Sequence, residues 1–276
     1  MILRRVIKHF RHQEWTAIAI DFVIVVVGVF VGIQVSNWNQ AQSDRSLGEK
    51  LTERLRADLV VEAWNYAMLI EYLADVQSNT DKALAGFTGR NKISDEQLLI
   101  AAYRATQYNA GIRQSTTYDE LISTGKIAFI TDKTLVNTAI LIYAPGIFDQ
   151  LLNEGVDSAY RETFRKTLPV EIQDSISQLC GDRFVQIGDF NRIKNQLNYP
   201  CTTDLSPQQF ELAVNKLRGN PAILENLRLR AMNVRTQHYN LVVENQDIFN
   251  AIKNIKNAAP AGKTSGAKTP DTTLTN

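Results

Sequence analysis

The sequence has few histidines and no excess of either charge, and both shortages exclude classes of function. Its three histidines are His9, His12 and His238, two of them within the first 14 residues. The rest of the chain therefore has no histidine cluster to hold a metal ion or move a proton. Lys plus Arg number 30 against 29 for Asp plus Glu, a net charge of +1. We therefore expect no metal site and no cofactor. We also expect no nucleic-acid partner, since the chain has no excess of positive charge to attract one.

Motifs for nucleophilic or phosphate chemistry are also missing. No Gly-x-Ser-x-Gly occurs, and the Gly-Lys pair of ISTGKI lacks the upstream glycine of a phosphate-binding loop and continues with Ile127. The adjacent carboxylates Asp119 and Glu120 are better explained as solvated residues at a helix start than as an acid/base pair. We interpret the chain as a non-enzyme, with assembly of a catalytic constellation from distant residues as the alternative.

What the sequence does contain is an apolar run from Trp15 to Val35, in which Asp21 is the only charge. A bilayer core of about 30 Å needs about 20 helical residues at about 1.5 Å per residue. In hydrocarbon a single segment satisfies its backbone groups only as a helix. We predict one transmembrane helix over 15–35, with a buried core helix as the alternative.

The flanks of this run predict its orientation. Arg4, Arg5, Lys8 and Arg11 precede it, whereas the polar stretch SNWNQAQSDRSLGEK follows it. The positive-inside rule then leaves the N-terminus in the cytoplasm. The run is too long for a signal-peptide core and no A-x-A site follows, which favours a signal anchor over a cleaved signal peptide. Residues 1–14 form either a basic amphipathic cytoplasmic tail or a charge cluster that only sets topology.

Three residues of the predicted span share one helix face. Asp21, Gly28 and Gly32 are separated by seven and four positions. Small residues four apart allow two helix backbones to approach closely, and a carboxyl on the same face can form a hydrogen bond across the interface. We predict packing against a second copy or another membrane protein. The alternative is that the glycines are ordinary membrane glycines and Asp21 is hydrated from the headgroup region.

The stretch IDFVIVVVGVFVGIQVSNWNQ and the later block TTYDELISTGKIAFITDKTLVNTAILIY, residues 116–143, carry a resemblance to known sequences. Both are similar to blocks of a bacterial family of single-pass membrane proteins whose domain has no known function. Asp21 stands where that family has its acid, and Gly28 and Gly32 stand where it has a glycine and a small residue. Trp38 stands where the family has a tryptophan.

The chain also departs from the family's pattern. Asp21 replaces a glutamate, Ser36 replaces an asparagine and Gln40 replaces a glutamate, and the Pro/Thr-containing end has no counterpart. The resemblance implies membrane attachment and a helical domain. Together with the predicted orientation of the span, it leads us to expect a protein of the bacterial inner membrane whose C-terminal domain lies in the periplasm. The resemblance implies no activity, because the family has none established.

Beyond the span, residues 36–257 are expected to form a helical extracytoplasmic domain. Apolar residues recur every three or four positions over about 42–84 and again over 221–257. Two such stripes bury each other best as an antiparallel pair, a stalk with residues 94–199 as a cap at its far end. Parallel pairing between subunits is the alternative. Residues 258–276 have no apolar period and are predicted to be disordered.

Capping patterns predict further helices and so an all-α fold. N-cap signals and C′ glycine signals occur at Ser94, Thr117, Ser206, Asn220, Gly125 and Gly219. The corresponding helices are 95–108, 118–124, 132–166 with a break near Pro145, 169–179 and 207–218. The weakly alternating RFVQIGDF is the one candidate for a short strand.

Only two cysteines occur, Cys180 and Cys201, and both follow the predicted span. In an oxidising compartment a bond between them would close a loop of about 20 residues and stabilise the fold by about 3 kcal/mol in the chain-entropy model. Two unpaired buried thiols are the alternative. Neither cysteine has a neighbouring histidine or a C-x-x-C partner that would indicate catalysis.

Two classes of function fit these features. The first is an interaction or scaffold protein, anchored in the bilayer, whose span associates with itself or another membrane protein. Its cap would hold a partner protein or, as in a ligand sensor, a small molecule. The second is an energy-coupled component in which Asp21 takes up protons. Asp21→Asn separates the two, because an amide preserves a hydrogen bond but cannot titrate.

Overall fold

The computed structural model describes residues 15–109 and 113–258 of the chain. The protein is all-helical, with 80% helix and no strand in those ranges, which confirms the predicted fold class. The predicted basic tail over residues 1–14 lies outside the described residues. So does the predicted disordered tail, except Ala258, which ends a helix.

Eleven α-helices occur in the described ranges, and most of them are short. In chain order they are α1 Trp15–Phe87, α2 Asp95–Arg104, α3 Thr116–Ser123, α4 Lys133–Tyr143, α5 Ile147–Val156, α6 Ala159–Thr167, α7 Val170–Cys180, α8 Ile193–Leu197, α9 Pro207–Gly219, α10 Pro221–Tyr239 and α11 Gln246–Ala258. Single turns of 3-10 helix span Lys126–Phe129 and Phe190–Arg192, and a π-helical turn spans Asn240–Glu244.

Helix α1 is unbroken over 73 residues, about 110 Å at about 1.5 Å per residue. It contains no proline that would interrupt its hydrogen bonds. It ends where Gly89 takes a left-handed conformation, with a φ of 70°, as is usual for a glycine just after a helix. The first part of α1 is apolar and long enough to cross a membrane. The second part is the helix on which the rest of the folded domain packs.

Two hydrophobic cores lie along the second part of α1. The first surrounds the segment from Leu51 to Val76 and includes side chains from α4, α8 and α11. The second surrounds Ala83 near the end of α1 and is built from α2, α6, α7, α9 and α10. Each short helix contributes only one or two turns of apolar residues, so its stability comes from this packing more than from its length.

The C-terminal helices run back along α1 in the opposite direction. Arg235 of α10 forms an ion pair with Asp81, at 2.6 Å between nitrogen and oxygen. Further along the chain, the Leu241 carbonyl accepts a 3.1 Å hydrogen bond from the Tyr66 hydroxyl. Because the later residue meets the earlier part of α1, the two segments are antiparallel within one chain.

The segment from residue 113 to α4 is held on α1 by polar contacts at regular helical spacing. The buried Glu62 carboxylate accepts from Arg113 Nε at 3.0 Å and from the Gln114 backbone N–H at 3.2 Å. One turn earlier, Asp58 accepts from the Thr117 backbone N–H at 3.2 Å. Breaking a buried pair of the Glu62 type costs on the order of 3–5 kcal/mol.

Two predicted long helices are shorter than expected. The 132–166 segment is three helices, α4, α5 and α6, and the first break does fall at Pro145, which has no N–H to donate. The second break follows α5, where Ser158 is extended with φ −63° and ψ 115°. The 221–257 segment is interrupted by the π turn, whose first carbonyl, that of Asn240, accepts a 2.8 Å hydrogen bond from the Asn245 side chain.

Most of the predicted caps are confirmed and two are wrong. Ser94 and Ser206 form capping boxes, Asn220 caps α10, and Gly125 has a φ of 70° just after α3. Thr117 is not a cap, because α3 begins at Thr116 and the Thr117 backbone N–H is bonded to α1.

The Gly219 prediction and the strand prediction are also corrected. Gly219 is the last residue of α9, and the chain turns at the extended Asn220 instead. Residues 183–190 form no strand, because no neighbouring strand exists in the described ranges to pair with them. Phe184 there is 90% exposed, while Val185 packs on the first core.

Candidate functional site

A polar cavity lies where a loop from the second core folds onto α1. Its volume is about 50 Å³, room for about three to five waters if about 10–15 Å³ hold one. The cavity is lined by Tyr72, Asp75, Val76, Arg104, Gln107, Asn109, Asp182, Arg183, Val185, Gln196, Leu197 and Tyr199. Four of these side chains are ionisable carboxyl or guanidinium groups, so the cavity is a candidate site for a charged or polar molecule.

A disulfide joins the two ends of the loop that closes this cavity. Cys180 at the end of α7 is bonded to Cys201, with the two Cα atoms 5.3 Å apart. We call residues 181–200 between them the disulfide loop. Within it, Ile193 is buried in the first core, and the Tyr199 hydroxyl donates to the Gly181 carbonyl. The bond therefore joins the second core to a loop that packs on the first.

Asp182, just after the first cysteine, faces Tyr72 of α1. The Tyr72 hydroxyl donates to Asp182 Oδ2 at 2.5 Å, the short distance typical of an O–H···O⁻ hydrogen bond. Burial raises the pKa of Asp182, and the hydrogen bond from Tyr72 opposes that shift. Burial, followed by the charge of Asp182, raises the pKa of Tyr72 well above its usual value. This pair is one direct polar contact between the loop and α1.

Asp75 lies one turn further along α1 and is the second carboxylate of the cavity. Its Oδ2 accepts a 3.1 Å hydrogen bond from Asn79 Nδ2. Burial raises the pKa of Asp75, while the positive charge of Arg104 works in the opposite direction. Asp75 also raises the pKa of Asp182 by repulsion, so the two carboxylates are close enough to affect each other.

Two guanidinium groups contact the Tyr199 ring. Arg104, the last residue of α2, lies 4.6 Å from the ring centroid and donates to the Tyr199 carbonyl at 3.1 Å. Arg183 of the disulfide loop lies 3.7 Å from the same centroid. Such contacts stabilise a cation by about 0.5–2 kcal/mol. They also hold both cations at the edge of the cavity.

The opposite charges around the cavity are not paired with each other. Among the described residues, no ion pair within 4.0 Å joins Asp75 or Asp182 to Arg104 or Arg183. The Gln196 side-chain oxygen is buried and has no hydrogen-bond partner in the same part of the chain. A buried group of this kind normally has a partner.

Two further arginines near the cavity, Arg161 and Arg230, donate to backbone carbonyls and so stabilise the fold. Arg230 is buried and donates to the Ala105 and Gln107 carbonyls at 3.2 and 2.8 Å. Arg161 donates to the Thr106 carbonyl at 3.1 Å. Together they satisfy carbonyl groups at the end of α2 that the helix itself leaves unbonded. Their charges also act on the site, since Arg161 opposes the rise in the pKa of Asp182.

Comparison with known families, curated proteins and solved structures finds no match for this chain. In the described ranges, no three His, Cys, Asp or Glu side chains are grouped so that they could hold a metal ion. What the cavity offers is two acceptor carboxylates, two cationic donors and an aromatic ring.

The residues predicted as a site in the span lie far from this cavity. Asp21, Gly28 and Gly32 are exposed on α1. Apart from chain neighbours and the backbone of α1, no described atom lies within 4 Å of a Cβ built on either glycine. Within the described ranges, no other element therefore packs against the two glycines. Cys180 and Cys201, the predicted disulfide candidates, are brought together.

Sequence reasoning missed the cavity and every charged residue in it. One local signal was available, because Asp75 interrupts the apolar stripe of α1 directly beside the buried Val76. A second was the position of Asp182 and Tyr199, each two residues from a cysteine that closes the loop. Neither signal could show that these residues meet Arg104, which is distant in sequence from both.

Proposed function

We propose that this chain is a single-pass membrane protein whose helical domain lies outside the cytoplasm and acts as an interaction or scaffold module. One observation carries the proposal. Along the first part of α1 the large apolar side chains from Ile20 to Val35 are exposed on all sides, with exposed fractions between 49% and 69%. A helix that is apolar all round needs either a protein core or lipid around it. The described part of the chain supplies no core there, which favours lipid.

The flanking charges and the disulfide support the rest of the proposal, which is the orientation of the span and the compartment of the domain. The basic residues before the run and the polar ones after it favour a cytoplasmic N-terminus. A disulfide is usual in an oxidising compartment, and Cys180 is bonded to Cys201. The resemblance of the span and the 116–143 block to bacterial inner-membrane proteins of unknown function supports a periplasmic domain. No catalytic role is proposed.

The continuity of α1 supports a scaffold role over that of a loosely tethered domain. The helix passes from its exposed part into the first core without a break. A domain built on the same helix as its anchor is held at a fixed distance and orientation from the bilayer. A flexible linker would leave both free to vary.

Membrane fractionation with topology reporters tests the proposal. The full chain should remain in the membrane after alkaline carbonate extraction. Alkaline phosphatase fused after Asn257 should be active, because that enzyme needs an oxidising compartment to form its disulfides. The intact N-terminus should be recovered by mass spectrometry. An inactive fusion, or a mature N-terminus at or beyond Ser36, would contradict the orientation or the uncleaved anchor.

Association through the span is tested separately, on the face formed by Asp21, Gly28 and Gly32. Gly28→Ile with Gly32→Ile should weaken crosslinking between spans, because the larger side chains prevent close approach of two helices. Val26→Ile with Phe30→Ile changes the other side of the helix and is the matched control. Equal crosslinking in both double variants would show that the glycines make no interface.

A further inference from the structure

The cavity under the disulfide loop presents both signs of charge to the same small space. Its carboxylates, Asp75 and Asp182, are bonded to Asn79 and Tyr72, and its guanidiniums, Arg104 and Arg183, contact the Tyr199 ring. Asp75 and Arg104 are half-buried, whereas Asp182 and Arg183 are exposed. In a core that needed only stability, the half-buried charges would pair directly, since removing a charge from water is costly. Here they are kept apart, with room for a few water-sized atoms between them.

We propose that this cavity binds a compact zwitterion, such as an α-amino acid, whose ammonium group faces Asp75 and Asp182 and whose carboxylate faces Arg183. The two ends of such a ligand complement the two charged sides of the cavity. A guanidinium is a fork of donors that matches a carboxylate. The site is independent of how the protein is anchored, so this inference goes beyond the proposed function.

The ammonium end has more than one acceptor available. An ammonium group carries three donors, and the cavity offers the two carboxylates and the unbonded Gln196 oxygen. That oxygen has no other hydrogen-bond partner among the described residues. A bound ammonium would satisfy it, and it would also neutralise part of the repulsion between Asp75 and Asp182.

The carboxylate end is assigned to Arg183 because Arg104 is already engaged. Arg104 donates to the Tyr199 carbonyl, whereas Arg183 lies over the face of the Tyr199 ring and makes no ion pair within the described residues. A cation stacked on a ring keeps its in-plane N–H donors directed outward. Arg183 also follows Asp182 directly, so one short stretch of the disulfide loop supplies both signs of charge.

The size and charge of the cavity argue against other ligand classes. A free anion would meet two carboxylates, and a free cation would meet two guanidiniums, so each would be repelled by half of the lining. A volume of about 50 Å³ corresponds to about three to five waters, which is close to the five heavy atoms of glycine. A large apolar ligand would find neither the volume nor the surface.

Calorimetric titration of the purified full chain in detergent tests the proposal with glycine as the probe. Acetate and methylammonium, which carry the two charged ends separately, are titrated under the same conditions. We expect saturable binding of glycine at concentrations up to about 10 mM, which would fill a site with a dissociation constant of about 1 mM. Acetate and methylammonium should each bind at least tenfold more weakly. No saturable glycine binding, or equal binding of either fragment, would overturn the proposal.

Two variants then assign the two ends of the ligand. Asp75→Asn and Arg183→Gln each remove one charge from the lining and should each weaken glycine binding at least tenfold. Asp174→Asn and Arg228→Gln make the same chemical changes at exposed residues outside the cavity and should bind glycine as the unmodified chain does. Unchanged glycine affinity in either cavity variant would overturn the assignment. The comparison of glycine with its fragments needs no variant and stands even if a variant misfolds.

Discussion

The two parts of α1 belong to one helix but follow different sequence rules. From Ile20 to Val35 ten of the sixteen residues are valine or isoleucine, and all sixteen are exposed. From Leu51 to Val76, leucine, alanine and tyrosine recur on one face, and that face is buried at a few per cent exposure or less. The comparison shows that helix formation does not distinguish the two parts. What distinguishes them is whether other described parts of the chain pack around the helix.

The largest expected difference between the two parts is in the cost of removing an apolar side chain. Leu55 is 0% exposed in the first core, and Leu55→Ala should destabilise the domain by about 3–4 kcal/mol through lost burial and a cavity. Val26→Ala, in the exposed part, should change the unfolding free energy by less than about 0.5 kcal/mol. Chemical unfolding of the full chain in detergent, followed by circular dichroism, measures both. Similar costs at the two positions would show that the exposed part has a protein partner within the folded domain.

Gly48 and Gly28 of α1 should also differ in the effect of substitution on the unfolding free energy, by a smaller amount. A Cβ at Gly48 would lie 2.4 Å from the Phe129 carbonyl oxygen, whereas a Cβ at Gly28 would have nothing within 4 Å. Gly48→Ala should therefore force the 3-10 turn away from α1 at a net cost of about 1–2 kcal/mol, even though alanine favours helix by about 1 kcal/mol. Gly28→Ala should cost the domain nothing. Unfolding midpoints of the two variants decide, and an unchanged midpoint for Gly48→Ala would contradict the close approach.

The smallest expected effect is a pH dependence that arises from the buried part of α1. The folded-state pKa of Asp75 is raised above its ordinary 3.8, so above that pH the folded state binds more protons than the unfolded state. Stability from this group therefore falls as pH rises from about 4 through the raised pKa. Asp75→Asn removes that loss, so the variant should lose less stability than the unmodified chain between about pH 4 and pH 7.

Asp132, the N-cap residue of α4, provides the control, because its pKa is shifted in the opposite direction to that of Asp75. The backbone N–H of Leu135, followed by Arg56, lowers the pKa of Asp132, so its contribution is lost as pH falls and not as pH rises. Asp132→Asn should shift the pH dependence in the direction opposite to that of Asp75→Asn. Identical slopes in the two variants would show that neither carboxyl titrates differently in the folded state.

The sequence predicted local features of this fold well and long-range ones poorly. Ser94, Ser206 and Asn220 were recognisable as caps because a cap is formed by residues within one turn of each other. The helix breaks at Ser158 and Asn245 were missed because neither residue is a proline or a glycine that would mark a break. Tyr72 and Arg104 line one cavity because the disulfide loop packs over α1, with Asp182 bonded to Tyr72 and Tyr199 bonded to Arg104.

The uninterrupted course of α1 has a mechanical consequence for the cavity. Asp75 and Gly32 are joined by helix alone, over about 65 Å at about 1.5 Å per residue. A rod of continuous hydrogen-bonded turns transmits an axial shift or a rotation with little loss. A displacement at Gly32 would thus be carried to Tyr72 and Asp75, which face the disulfide loop in the cavity. Reciprocity requires that a molecule favouring one position of Asp75 against that loop also favours one position of the distant end of the rod.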